Sequence, residues 1–121
     1  VAVRLLLGLA ALYGALGVAG SAASAHLGGQ SLATASQFAL FHAPAIIAAV
    51  VLARVGLAQP HLALTAGWLM ALGVLSFSGA VALSSFDLRP APMAAPTGGT
   101  VLILAWLVLA AAVLAAPRKQ G

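Results

Sequence analysis

From Leu5 to Ala53 the chain runs for 49 residues without a lysine, arginine, aspartate or glutamate. Laid out as one helix at about 1.5 Å per residue, this stretch would extend about 74 Å, more than twice the ~30 Å hydrocarbon core of a bilayer. It has to fold back once. The alternative, a water-soluble fold, fails on composition: 64% of the 121 residues are hydrophobic and 5% charged, whereas soluble domains carry about 25% charged residues. A domain this small leaves much of its surface exposed, so the sequence predicts that the solvent around it is lipid.

Glycine and proline punctuate the rest. Gly28-Gly29-Gln30-Ser31 ends a first helix of about residues 3–27, and Ser31 or Thr34 is placed to cap a second of about 33–56. Gly56 to Pro60 leads into a third helix of about 61–85. Pro90, Pro92 and Pro96 interrupt the segment 86–96, because a proline inside a helix removes one hydrogen bond and clashes with the preceding turn. A fourth helix of about 97–116 follows. The expected fold class is an all-α integral membrane protein, one domain over 1–121, built as a four-transmembrane-helix antiparallel bundle.

The calculated isoelectric point near 11.6 suggests nucleic acid, but it comes from five bases and a single acid, Asp87. Phosphate tracking needs clustered Lys and Arg; here Arg4, Arg54, Arg89, Arg118 and Lys119 lie near the ends of apolar segments. They read as topology signals instead. Arg4, Arg54, Arg118 and Lys119 fall at one end and Arg89 at the other, so the positive-inside rule predicts both termini in the cytoplasm and an extracytoplasmic Pro-rich loop. Trp68 suits the aromatic belt on the cytoplasmic side. There is no cysteine, which removes disulfides, thiolate metal sites and Cys nucleophiles.

Arg4, the apolar run from Leu5 and Ala23-Ser24-Ala25 together imitate a cleavable signal peptide. Against cleavage, Ala10, Gly14, Gly17, Ser21, Ser24 and Gly28 recur at intervals of three and four. That period lines one helix face with small side chains, as close helix–helix packing in membranes requires. The expectation is that the first helix is retained as part of the bundle.

Several motifs in register resemble the YgdD/YwdK-like family of small bacterial membrane proteins, which carries the label domain of unknown function 423. Ser21-Ala22-Ala23-Ser24-Ala25-His26 stands where that family has a Gly-Ala-Phe-Gly-Ala-His pattern, and Phe41-His42-Ala43 matches its aromatic-His-Ala. Phe77-Ser78-Gly79 matches its Phe-Ser-Gly, Pro96-Thr97-Gly98-Gly99 its Pro-x-Gly-Gly, and Trp106 lies downstream. The departures are serines at both first-motif glycines, Ala23 for its Phe, and Pro44 after the second motif. The resemblance implies a four-helix membrane protein and assigns it no biochemical role.

Polar groups inside a bilayer are costly, so each calls for a reason. Counted at about 1.5 Å per residue from the outer helix ends, His42 lies roughly 14 Å deep, Ser76 and Ser78 roughly 10 to 14 Å, and Trp106 about 14 Å. These four are expected to form one hydrogen-bonded cluster, which Pro44 extends by freeing the carbonyl of Leu40. Such a cluster either ties helices together or binds a small molecule such as quinone, lipid or haem. His26, near the outer interface, is a secondary candidate for a bis-histidine haem or a metal site, although its depth differs from that of His42 by more than about 10 Å. No resident metal or cofactor is expected. Ser76-Phe77-Ser78-Gly79 is similar to the Gly-x-Ser-Gly of intramembrane serine proteases, yet its first glycine is missing and so small a bundle encloses no oxyanion hole. The leading expectation is a non-enzymatic accessory or structural component of the bacterial cytoplasmic membrane, packing against other membrane-protein helices or copies of itself.

Overall fold

The structure, a computed structural model, describes residues 1–27 and 29–118; Gly28 and Lys119, used above for packing and topology, lie outside them. The described residues form four helices and no strand: α1 (Ala2–Leu27), α2 (Gln30–Arg54), α3 (Pro60–Ser85) and α4 (Ala94–Leu114). All four are long and apolar enough to cross a membrane. At about 1.5 Å per residue they measure about 32 to 39 Å.

Two helices begin three residues earlier than the sequence suggests. Pro96 is the third residue of α4, and a proline in the first turn gives up nothing, because the first N–H groups of a helix have no intrahelical partner. The N-cap of α2 is Gly29, with no side-chain cap. Thr34, a candidate cap, instead donates its hydroxyl to the carbonyl of Gln30 at 2.9 Å. At α3, Gln59 is the cap: its Oε1 accepts from the N–H of Leu62 at 2.7 Å, with Pro60 at the first helical position.

Two helix ends share one closing device. Gly56 (φ 79°) follows α2 and Asp87 (φ 58°) follows α3, and the next N–H reaches back five residues, Leu57 to Leu52 at 3.0 Å and Leu88 to Leu83 at 3.1 Å. This is the left-handed cap that satisfies a helix's last carbonyls. Asp87 is the only non-glycine residue in that conformation among those described.

The helices pack in chain order, α1 on α2, α2 on α3, α3 on α4, with a smaller contact between α1 and α3. Each consecutive pair is antiparallel. Gly14 faces Ala43 while Gly17 faces Leu40 and Ser36; Gly67 faces Ala49 while Ser78 bonds Ala35; Gly73 faces Leu102 while Phe77 meets Gly98. Arg4, Arg54 and Arg118 therefore share one end of the bundle, and Asp87 and Arg89 lie at the other.

The core is built from small and medium side chains, with Leu6, Ile46, Met70 and Val74 the largest that are fully buried. α1 lays Gly14 and Gly17 against α2, using part of the small-residue face read from the sequence. Glycine does similar work in α4, where a Cβ at Gly98 would stand 2.5 Å from the backbone nitrogen of Phe77 and 2.9 Å from its Cα. Its lack of a side chain sets how closely α3 and α4 approach.

Candidate functional site

His42 points inward because it belongs to the buried stripe of α2, Ala35, Ala39, His42, Ile46, Ala49 and Ala53, whose three-and-four spacing keeps it on one face. The residue is 5% exposed, and both ring nitrogens are engaged. Nδ1 lies 2.7 Å from the carbonyl oxygen of Phe38, one turn earlier in the same helix. Nε2 lies 3.1 Å from Nε1 of Trp106, across in α4. A carbonyl only accepts and an indole N–H only donates, so the partners select the neutral tautomer with the proton on Nδ1. No ring nitrogen is left for another ligand while Trp106 stays in place.

Aromatic rings extend this contact. Phe38 stacks on His42 with centroids 6.0 Å apart and lies 4.4 Å from Phe77 of α3, while Trp106 meets His42 edge-on at 5.9 Å. Phe77, Phe38, His42 and Trp106 thus join three helices. Trp106 carries the contact from the rim, 47% exposed.

The two serines do not join His42. Ser76 donates to the carbonyl of Ala94 at 2.6 Å, and Ser78 donates to that of Ala35 at 2.9 Å. Ala35 precedes His42 by two turns, about 10 Å along α2. The expected single cluster divides into three separate ties, His42 with Trp106, Ser76 with Ala94 and Ser78 with Ala35, and the helix starts explain why the first lies apart. Because α2 and α4 each begin three residues early, His42 and Trp106 both sink to about 18 Å from their outer ends. They stay level with each other, while Ser76 and Ser78, counted from the end of α3, remain at roughly 10 to 14 Å.

His26 is exposed at the end of α1. His61 is exposed at the start of α3, at the opposite end of the bundle. Among the described residues no three metal-ligating side chains come together. Every buried side-chain nitrogen or oxygen among them has a hydrogen-bond partner.

Two participants escaped the sequence reading. Phe38 was detectable, since it sits four residues before His42 and so on the same helix face. Tyr13 was not: its hydroxyl donates to the carbonyl of Ala71 at 2.6 Å, joining α1 to α3, and nothing in the local sequence announces a partner 58 residues away.

A family model described as "Protein of unknown function (DUF423)" matches residues 9–99, well over half of the chain. The match takes in Phe41-His42-Ala43, Phe77-Ser78-Gly79 and Pro96-Thr97-Gly98-Gly99, and stops short of Trp106. No curated protein and no solved structure matches the chain.

Proposed function

The chain belongs to the family described as protein of unknown function DUF423, and from that premise we propose a multi-pass protein of a bacterial cytoplasmic membrane that acts without catalysis, as a structural or accessory component packing against other membrane proteins. Four crossings are supported by helices at least as long as the ~30 Å hydrocarbon core and by the apolar outer faces of the flanking helices, Leu12 and Leu16 on α1, Ile103 and Leu107 on α4. The shared position of Arg4, Arg54 and Arg118 supports both termini in the cytoplasm.

The observation that carries the non-enzymatic reading is the saturation of His42 by Phe38 and Trp106. A general base needs a free lone pair within reach of a nucleophile, whereas Ser76 and Ser78 both point their protons at backbone carbonyls of other helices. These bonds run between α2 and α4, α3 and α4, and α2 and α3. They do the work of interhelical ties, each contributing about 0.6 kcal/mol. Haem or quinone at His42 would first have to displace Trp106; a Soret band in gently solubilised protein would establish such a ligand and defeat the structural reading.

Native mass spectrometry from mild detergent tests the accessory role. A stoichiometric partner chain or a homo-oligomer is the expected result, and bare monomer under conditions that preserve other membrane complexes refutes it. Topology is tested separately. Because the chain has no cysteine, Ala2→Cys and His61→Cys should react with an impermeant maleimide only from the cytoplasmic side, Ser31→Cys and Leu88→Cys only from the other. Labelling of all four from one side would end the four-crossing reading.

A further inference from the structure

At the arginine end of the bundle α1 and α3 touch: Leu6 packs toward Gly67, and the Tyr13 hydroxyl bonds the carbonyl of Ala71. Beyond Tyr13 the two helices part, and α2 floors the opening. The result is a groove of about 420 Å³ with Leu16 and Ala19 on one wall, Leu75 and Gly79 on the other, and Ala35 and Ala39 beneath. None of His42, Ser76 or Trp106 lines it.

Three features select its occupant. The groove runs from Tyr13 to Ala23 along α1, ten residues or about 15 Å, half of the ~30 Å hydrocarbon core; it begins near mid-depth and ends at the Asp87 end of the bundle, beside Phe86. Its walls and floor are set largely with small residues, Ala19, Ala23, Ala35, Ala39, Gly79 and Ala82, which leave a furrow along α1 that a linear chain can follow. Its polar groups are spent. The hydroxyls of Tyr13, Ser36 and Ser78 donate to the carbonyls of Ala71, Leu32 and Ala35, so no proton is left for a phosphate or a quinone carbonyl, and what remains is apolar surface.

We propose that this groove holds one acyl chain of a phospholipid from the leaflet at the Asp87 end, with the headgroup left at the surface. The site rests on the membrane-spanning reading above and adds to it a bound lipid at a defined place. Dispersion contacts along the groove hold the chain, and the hydroxyls, turned to the backbone, keep the groove free of competing polar ligands.

Two glycines make the test clean. A Cβ at Gly79 or at Gly8 meets nothing within 4 Å, so a side chain leaves the backbone into open space at either; Gly79 lines the groove and Gly8 does not. Purified protein is equilibrated in detergent with palmitoyl-oleoyl phosphatidylglycerol, and bound lipid is counted by native mass spectrometry. The wild type and Gly8→Leu should each retain one phospholipid per chain, Gly79→Leu should lose occupancy by about tenfold or more, and palmitate but not glycerol 3-phosphate should compete. A lipid-free wild type, undiminished occupancy in Gly79→Leu, equal loss in Gly8→Leu, or competition by glycerol 3-phosphate would each overturn the proposal. An alkaline carbonate wash of membranes separates the two readings: release of the protein defeats membrane insertion itself, while a retained protein that binds no lipid defeats the groove alone.

Discussion

Removing the Trp106 donor while keeping an aromatic ring, by Trp106→Phe, strands the Nε2 lone pair of a histidine that is 5% exposed. An unmatched buried acceptor costs about 1–3 kcal/mol in a soluble core. Between membrane helices the measured coupling is smaller, about 0.6 and at most about 1.7 kcal/mol, because the unfolded chain finds partners too. The expected loss for Trp106→Phe is therefore about 1 kcal/mol. His42→Leu strands the indole N–H instead, and the double variant should be less destabilised than the two singles added together, by about 0.6–1.7 kcal/mol. Reversible unfolding in mixed micelles of dodecylmaltoside and increasing dodecyl sulfate, followed by far-ultraviolet circular dichroism, measures all four corners of the cycle. Additivity within about 0.3 kcal/mol would show that the two side chains act independently, refuting the tie between α2 and α4. Nitrogen-15 chemical shifts of the His42 ring supply a second check, since the bonding partners require a proton on Nδ1 and none on Nε2. A wild-type ring protonated on Nε2 would refute the assignment whatever the energies.

Gly98→Ala places its Cβ 2.5 Å from the Phe77 nitrogen, where carbon contacts relax only near 3.5–4.0 Å; α3 and α4 must separate, and a loss of about 1–3 kcal/mol is expected in the same unfolding assay. Gly8→Ala, with open space around it, should be neutral or gain up to about 1 kcal/mol from helix propensity, and similar losses for both would discredit the close crossing. At Asp87 (φ 58°), Asp87→Val should lose about 1–2 kcal/mol because a β-branched residue is strained in the left-handed region. Asp87→Asn keeps a tolerated side chain and should stay within about 0.5 kcal/mol; equal effects would point to lost charge as the cause. Tyr13→Phe should lose about 0.6 kcal/mol with the bond to Ala71, and no change would remove that tie between α1 and α3.

Much of the bundle was legible because each helix is long and apolar enough to cross a membrane, and a segment of that kind has to satisfy its own backbone, so apolar length alone counts helices. The uncharged run from Leu5 to Ala53 demanded a reversal, and Gly56 and Asp87 stand where two helices close. What escaped was local context. Pro96 reads as a helix breaker until its position is known to be the first turn, where it is harmless. Gly98 reads as part of a Pro-x-Gly-Gly motif until Phe77 is seen crossing over it. Pro96 accounts for the early start of α4, and with it the deeper level of Trp106.

The sequence by itself determined four apolar helices, the chain reversals between them and the small-residue face of α1, because length, helical period and punctuation are properties of consecutive residues. Only the tertiary structure decided that His42 meets Trp106 and not Ser78, that Tyr13 reaches Ala71, and that α1 and α3 diverge to leave a groove. Each of those depends on the relative depth and crossing of helices distant in the chain. A shift of three residues, about 4.5 Å, is enough to part His42 and Trp106 from the two serines.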